Sequence, residues 1–248
     1  AKNASEKPGG NPQRASKTIC RTAKSLHRMH SLQALTRKRF QHMILVGQYD
    51  SPFTRRVAIS LKLAGFDYEH DKRSVFGDFD SMRITNPLGR VPSLILNSGE
   101  TLIESAAILD WLDEEVGPQR ALLAPHGPAR KRSLQIMALA TGAIDKVGAA
   151  NYERLIRPPA FRWPAWIERC LTQAAGAIEA LEHATWQSDG RITQPMITIA
   201  CMLDYVRLTD PALLPPGKYK KLEALLRRFD ELPAFVETSV SEYAVPRG

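Results

Sequence analysis

A serine stands directly before a proline at the end of an apolar run, in the stretch YDSPFTRRV (49–57). Serine followed by proline is a common helix start, because the hydroxyl accepts an N–H of the first turn and proline lacks the N–H that would be left unpaired. The same hydroxyl still has one proton to donate. Ser51 is therefore predicted to begin a helix, and its proton remains available to a reacting group.

A second candidate pair, Glu104-Ser105, opens a later predicted helix. Exposed N–H groups, a hydroxyl and the positive end of the helix dipole suit a carboxylate, while Glu104 could take an ammonium group. The pair could thus hold an amino-acid headgroup. The alternative is an ordinary helix start with a favourable acid in its first turn.

The Val91-Pro92 pair lies at the mouth of a predicted strand. The proline either begins the strand in the trans form or forms a cis turn. In a cis turn, the peptide N–H and C=O of Val91 would point away from the sheet and could pair with a peptide-like ligand. Arg90 could anchor a second carboxylate, although an isolated arginine is also typical of a solvated surface.

The elements that must position these residues form two groups. Apolar patterning predicts a strand at 44–47, a helix from Pro52 to Gly65 and a parallel strand at 68–72. An antiparallel hairpin follows at 93–103, then a helix with Ile108, Trp111 and Leu112 facing inward. This order, βαβ then ββα, predicts a thioredoxin-like α/β domain with a mixed four-stranded sheet.

Strand signals stop after Gly117-Pro118. The remaining apolar periodicity is helical and predicts an all-α C-terminal domain. Its expected helices are 129–151, 164–184, 198–208 and 219–229. The predicted domains are 43–118 and 125–242.

The net charge of +8 arises in the first 42 residues, whose ten Lys/Arg and one acid give +9, while the rest of the chain carries −1. Residues 1–42 are predicted to be a disordered basic extension, with a weak amphipathic helix at 25–42. Three interpretations stay open: an extension upstream of a start at Met43, an organelle transit peptide, or a nucleic-acid-binding arm. Nucleic acid is an improbable partner for the folded part, whose charge is close to neutral.

Composition also bears on location. No run approaches the roughly 18 apolar residues of a membrane span, which predicts a soluble protein without a membrane partner. Cys20, Cys170 and Cys201 form neither a CxxC nor a metal-ligand spacing, so reduced thiols, no metal site and a cytoplasmic location are expected.

The order of the motifs resembles the soluble glutathione transferase family, in the bacterial type with serine at the thiol-facing position. SPFTRRV follows the first strand, then come NPLGRVPSLIL and TLIESAAILDWLDEE, and an all-helical region ends in LPAFVETS. The resemblance covers about residues 43–240. It implies an enzyme that binds glutathione as co-substrate, stabilises its thiolate and adds it to an electrophilic small molecule. It also implies a homodimer and a role in detoxification.

The resemblance carries over to individual glutathione-binding positions. The glycyl carboxylate would be reached from the position before the Val-Pro pair, the cysteinyl backbone would pair beside the cis-proline, and the γ-glutamyl end would lie at the start of the third helix of the family fold. The matching residues are Arg90, Val91, Pro92, Glu104 and Ser105.

Ser51 matches the position that faces the glutathione sulfur. A thiol with a pKa of about 8.5 is only a few per cent ionised at pH 7, so a donated hydrogen bond and the helix N-terminus would have to favour the thiolate. Tyr49 is the main rival, because other branches of the family use a tyrosine near the end of the first strand, and Thr54 is a weaker rival. The electrophile pocket is expected between the domains, lined by Tyr49, Phe53 and Tyr152.

The chain also departs from the family pattern. Members with thiol-disulfide chemistry carry Cys at the position of Ser51, and the Ser-Ser-Cys run of the maleylacetoacetate isomerase class is absent, so neither reaction is favoured. Thr198 is expected to cap the hydrophobic helix without the usual acid three residues later. Alternative functions are a non-catalytic binding or assembly protein with this fold, or a glutathione-dependent peroxidase or dehalogenase.

Overall fold

The computed structural model describes residues 43–186 and 190–240. The predicted extension 1–42, with Cys20, and the last two residues of the predicted helical domain lie outside the described residues. The predicted boundaries at 118 and 125 stay a prediction.

A mixed four-stranded sheet forms the first part of the fold. Its strands are β1 (Ile44–Val46), β2 (Glu69–Asp71), β3 (Ser93–Ile95) and β4 (Thr101–Ile103). Their spatial order is β2-β1-β3-β4. β1 and β2 are parallel, while β3 is antiparallel to both β1 and β4. The thioredoxin-like arrangement and the hairpin are therefore confirmed.

The first crossover helix, α1 (Pro52–Ala64), begins and ends where the sequence predicts. Gly65 ends it with φ 76°, a left-handed conformation that glycine adopts without steric cost, and its N–H donates to the carbonyls of Leu61 and Lys62. Most of α1 is buried, because one part of it packs against later helices and another against the sheet. The helix thus connects the two halves of the fold.

A short helix, α2 (Phe79–Thr85), was not predicted. Only Met82 of this helix is buried, whereas Phe79 and Ile84 are exposed. Without a continuous apolar face, the segment gives no helical period that the sequence could reveal. The next helix, α3 (Ser105–Val116), buries Ile108 and Leu112 as expected, with Trp111 half-buried.

The second part of the fold is helical, as predicted. It contains α4 (Gly127–Leu155), α5 (Pro164–His183), α6 (Gln194–Thr209), α7 (Lys220–Asp230) and the short α8 (Pro233–Val236), with single 3₁₀ turns at Pro159–Phe161 and Pro211–Leu213. Ile144, Ile178 and Phe229 belong to its apolar core, and Ile59 of α1 packs into the same core.

The helix α6 starts one turn earlier than predicted, and the expected Thr198 cap is wrong. The N-cap is Thr193, and Pro195 occupies the first turn, where proline is tolerated. Thr198 lies inside the helix, where its hydroxyl donates to the Gln194 carbonyl at 2.8 Å. The missing acid therefore removes no cap interaction at this position.

Two further observations concern the described residues alone. Cys170 and Cys201 are buried and form no disulfide. Of the helices between residues 43 and 240 that the structure describes, none has the length and apolarity needed to cross a membrane.

Candidate functional site

An open cleft of about 540 Å³ lies between the start of α1, the loop before β3 and the middle of α4. Its lining brings together five of the predicted site residues: Ser51, Phe53, Arg90, Val91 and Tyr152. These residues come from three separate segments of the chain. The cleft is therefore the place where the predicted chemistry could be assembled.

Ser51 is the N-cap of α1, as predicted. Its backbone is extended (φ −74°, ψ 113°), and its hydroxyl oxygen accepts the N–H of Thr54 at 3.4 Å. The cap uses a lone pair and leaves the hydroxyl proton available to the cleft. Thr54, the weaker rival, is fully buried and does not line the cleft.

Tyr49 does not line the cleft, and this corrects the expectation that it faces the thiol or the electrophile. Its hydroxyl is 2.8 Å from the hydroxyl of Tyr68, and its ring stacks on His70 at 3.9 Å between centroids. β1 ends at Val46, so the alternation of side chains along the strand does not extend to Tyr49. Burial raises the pKa of the Tyr49 hydroxyl, and the hydrogen bond with Tyr68 partly offsets this rise.

The Val91-Pro92 peptide bond is cis, which decides between the two conformations that the sequence allowed. Pairing between β1 and β3 ends at Ser93, so Val91 lies outside that ladder and on the cleft wall. Gly47 allows the close approach of this loop: a Cβ on Gly47 would lie 2.7 Å from the Cβ of Val91.

Glu104 and Ser105 do not line the cleft itself, but Glu104 forms an ion pair with Arg90, which does. Its Oε1 lies 3.5 Å from Arg90 Nη1. The same oxygen is buried and has no hydrogen-bond partner among the described residues, although 44% of the side chain is exposed. Glu104 has φ 65°, a conformation that a residue with a Cβ rarely adopts. Both features of Glu104 lower the stability of the fold in the absence of a ligand.

Arg56 contacts the predicted site residue Ser105, and sequence reasoning missed this contact. Its guanidinium donates to the hydroxyl oxygen of the buried Ser105 from Nε at 3.1 Å and from Nη2 at 2.7 Å. Arginine is normally a surface residue, and only its position between the apolar residues Phe53 and Val57 could have indicated that it faces the interior.

Part of the cleft lining is aromatic and apolar. Phe76, from the loop after β2, meets the ring of Tyr152 edge-on, with 5.7 Å between centroids. Ile144 and Asp145 of α4 also line the cleft. Burial raises the pKa of both the Tyr152 hydroxyl and the Asp145 carboxyl, and Arg90 opposes the shift in each case. Phe76 had no recognisable sequence signal.

Comparison with known proteins identifies the family. The glutathione S-transferase N-terminal domain family matches residues 45–120. A maleylacetoacetate isomerase of Pseudomonas aeruginosa is 33% identical over an alignment of 151 residues, which covers 56% of this chain and 69% of that protein. The chain belongs to the soluble glutathione S-transferase family. An uncharacterised GST-like protein of Escherichia coli, 29% identical over 170 residues, matches 66% of this chain and 82% of its own length.

Solved structures of the same family superpose on the fold. A glutathione transferase family member from Pseudomonas fluorescens, with bound glutathione, has a TM-score of 0.72 and 28% identity and covers 79% of this chain and 98% of its own. A glutathione S-transferase from Methylobacillus flagellatus, also with glutathione bound, has a TM-score of 0.73 and 26% identity, with the same coverage. The helical region is thus part of the likeness, along with the thioredoxin-like part.

Proposed function

We propose that this protein is a glutathione transferase that binds glutathione in the cleft, stabilises its thiolate and adds it to an electrophilic small molecule. The observation that carries the proposal is the position of Ser51, at the N-terminus of α1 and on the wall of the cleft. Family membership and glutathione-bound relatives support the choice of ligand.

The protein offers a complementary group for each part of the glutathione peptide. Arg90, with 55% of its side chain exposed, can pair with the glycyl carboxylate. The peptide group of Val91 can pair with the cysteinyl backbone, as an added strand pairs with a sheet edge. The buried Oε1 of Glu104, which has no hydrogen-bond partner among the described residues, would accept from the γ-glutamyl ammonium group, and Ser105 would donate to the neighbouring carboxylate.

Ser51 would act by stabilising an anion, since a serine hydroxyl is not a base at neutral pH. Lowering the thiol pKa by about two units requires about 2.7 kcal/mol of preferential stabilisation of the thiolate. A hydrogen bond donated to a charged acceptor and the positive end of α1 together can supply this amount. The thiolate sulfur then forms a bond to the electrophilic carbon, and the leaving group departs with its electron pair.

The aromatic part of the cleft is the proposed electrophile pocket, with Phe53, Phe76 and Tyr152 on its walls. Such walls bury apolar, planar molecules well. A homodimer in solution, as the family resemblance implies, is part of the same proposal.

A second candidate reaction, glutathione-dependent isomerisation, is favoured by one observation. The relative that is 33% identical is named a maleylacetoacetate isomerase. The absent Ser-Ser-Cys run argues against this reaction, but the thiolate required is the same. A cis-dicarbonyl alkene should therefore be tested beside haloaromatic and epoxide electrophiles.

The first experiment measures the ultraviolet thiolate absorbance of bound glutathione as the pH is lowered. Wild type, Ser51→Ala and the matched control Ser74→Ala are compared, because Ser74 lines the same cleft but does not cap α1. We expect wild type and Ser74→Ala to hold the thiolate below the pKa of the free thiol, and Ser51→Ala to lose about one to two pH units of that shift.

Three results would count against the proposal. If Ser51→Ala titrates like wild type, Ser51 is only a helix cap. If glutathione binds without turnover of any electrophile, the protein is a binding module. If glutathione does not bind, the fold serves another purpose.

A further inference from the structure

An apolar and aromatic surface lies just beyond the end of α4. In the loop of residues 156–163, here called the aromatic loop, Ile156, Phe161 and Trp163 are 47%, 72% and 62% exposed. A shallow groove of about 450 Å³ begins at the next residue along the chain, and its apolar lining comprises Pro164, Ile167, Leu171, Ala175 and Leu213. Contiguous exposed apolar surface of this kind marks a contact with a partner, whereas single exposed side chains do not.

The aromatic loop is held in place by the buried carboxylate of Glu153. Its Oε1 accepts the N–H of Trp163 at 2.8 Å, and its Oε2 accepts Nε–H of Arg157 at 2.7 Å. The two prolines of the loop restrict the backbone further, since each fixes its own φ. Phe161 and Trp163 are therefore exposed on an ordered loop, which reduces the entropy that a partner must remove on binding.

The charge around the aromatic loop is positive. Residues 156–169 contain three arginines and one acid, although the chain beyond residue 42 carries a net charge of −1. Arg169 is exposed and has no ion pair among the described residues, and Arg157 keeps 52% of its side chain exposed beside Glu153. Exposed rings next to arginines suit an anionic bilayer, because the rings enter the headgroup region and the arginines attract lipid phosphates.

We propose that the aromatic loop is a docking surface for an anionic lipid bilayer, with Phe161 and Trp163 entering the headgroup region. This inference goes beyond the proposed function and does not depend on it. The expectation of no membrane partner rested on the lack of a spanning segment, which does not bear on a contact at the membrane surface. Tyr152 of the cleft wall lies one helical turn before Ile156, so the bilayer would lie beside the aromatic part of the cleft.

The size and composition of the surface favour a bilayer over other partners. With about 150–250 Å² for each aromatic side chain, the exposed parts of Phe161 and Trp163 amount to roughly 200–300 Å². A stable interface with a second copy of the chain would bury about 800 Å² on each side. Single-stranded nucleic acid also stacks on rings beside arginines, but Ile156 and the apolar groove offer it no stacking partner.

The test measures binding of the full chain to lipid vesicles of two compositions. One is phosphatidylcholine alone, and the other contains about one third phosphatidylglycerol. The double variant Phe161→Ser/Trp163→Ser removes both rings, and Arg169→Gln removes one charge. Phe79→Ser/Ile84→Ser is the matched control, because these two side chains are also exposed but lie in α2. Thermal unfolding of each variant accompanies the binding measurement.

We expect the double variant of the aromatic loop to bind both kinds of vesicle at least about tenfold more weakly than wild type, because two rings no longer leave water. The α2 control should bind like wild type. Arg169→Gln should lose about fivefold on the anionic vesicles alone. The basic residues 1–42 are common to every variant, so any binding through them does not create these differences.

A second measurement locates the contact. Tryptophan fluorescence is recorded with vesicles whose acyl chains carry bromine, which quenches only rings close to the lipid. Trp163→Phe keeps a ring for the membrane but removes the fluorophore, so it should bind vesicles nearly as wild type does and lose most of the quenching. Trp186 is buried and should contribute little to the quenching.

Several outcomes would overturn the inference. It fails if wild type binds neither vesicle, if the folded double variant binds as tightly as wild type, or if quenching is undiminished in Trp163→Phe. If the double variant does not fold, Trp163→Phe and Arg169→Gln decide. Binding of a single-stranded oligonucleotide that the double variant loses, without vesicle binding, would assign the surface to nucleic acid. Self-association that the double variant loses in sedimentation, again without vesicle binding, would assign it to a second copy of the chain.

Discussion

The backbone of Glu104 leads to an unusual stability prediction. At φ 65° and ψ 124°, the residue lies outside the regions that side chains with a Cβ normally occupy. Replacing it with Gly should give a more stable protein than replacing it with Ala. Glycine is also preferred to alanine at helix N-caps in general, so the size of the difference carries the prediction.

The magnitude follows from two opposing effects. A strained backbone conformation of this kind costs about 1–3 kcal/mol for a residue with a Cβ. Glycine avoids that cost but loses about 0.4–1 kcal/mol more through the greater freedom of the unfolded chain. Both variants lack the carboxylate, so the loss of the exposed Arg90 ion pair cancels in the comparison. The free energy of unfolding of Glu104→Gly should therefore exceed that of Glu104→Ala by about 1–2 kcal/mol. For a domain of this size, this difference raises the unfolding temperature by about 2–8 °C.

The assay combines unfolding with ligand binding. Urea and thermal unfolding of the Gly and Ala variants report the backbone effect, and calorimetry with glutathione reports the loss of the carboxylate. Both variants should bind glutathione about tenfold to a hundredfold more weakly, because a charge-assisted hydrogen bond is lost. Glu104→Gln keeps the shape of the side chain, so it isolates the charge and should weaken binding without a gain in stability.

Two results would refute this reasoning. If the Ala variant is as stable as the Gly variant, the backbone does not hold position 104 at a positive φ. If the Gly variant is more stable but binds glutathione like wild type, the strain is real and the Glu104 carboxylate is not the partner of the ammonium group.

Two further predictions concern the framework of the cleft. Gly47→Ala should destabilise the protein by about 2–4 kcal/mol in urea unfolding, because the φ of 126° is strained for alanine and the new Cβ would lie 2.7 Å from both Thr54 Oγ1 and Val91 Cβ. Gly65→Ala, with φ 76° and open space, should lose only about 1 kcal/mol. The pKa of His70 is lowered from 6.5, chiefly by burial, so the unfolded chain binds more protons just below that pH and stability should fall as the pH drops. His70→Phe should reduce the loss of unfolding free energy between pH 7 and 5, as measured by urea unfolding. A loss equal to that of wild type would contradict this prediction.

The strands and the long helices could be predicted because their signals are local. The helix after Ser51 had its cap, its proline and its terminal Gly65, and each of these was found in place. The short helix Phe79–Thr85 could not be predicted, since it buries only Met82. Its helical form depends on the surrounding chain and not on an apolar face of its own.

The candidate site was predictable in part, and for different reasons. Ser51, Arg90 and Val91 follow or precede strands, so their place at one edge of the sheet follows from the topology. Tyr49 was misplaced because a strand of three residues ends too early for alternation to decide where its side chain points. Arg56 was missed because burial of an arginine depends on partners 49 and 142 residues away in the sequence.

Two unfavourable features of the described fold lie at or beside the start of α3. Glu104 combines a strained backbone with a buried oxygen that lacks a hydrogen bond, and Arg56 is a buried cation without a paired anion. Single substitutions could relieve each of these costs, so a protein that used the fold only as a scaffold would have little reason to retain them together. Under the proposed function, the ammonium group of a zwitterionic headgroup would face Glu104, and its carboxylate would lie near Ser105 with Arg56 behind it. This complementarity argues for a retained ligand site. The difference in stability between Glu104→Gly and Glu104→Ala measures part of the stability that the fold loses to that site.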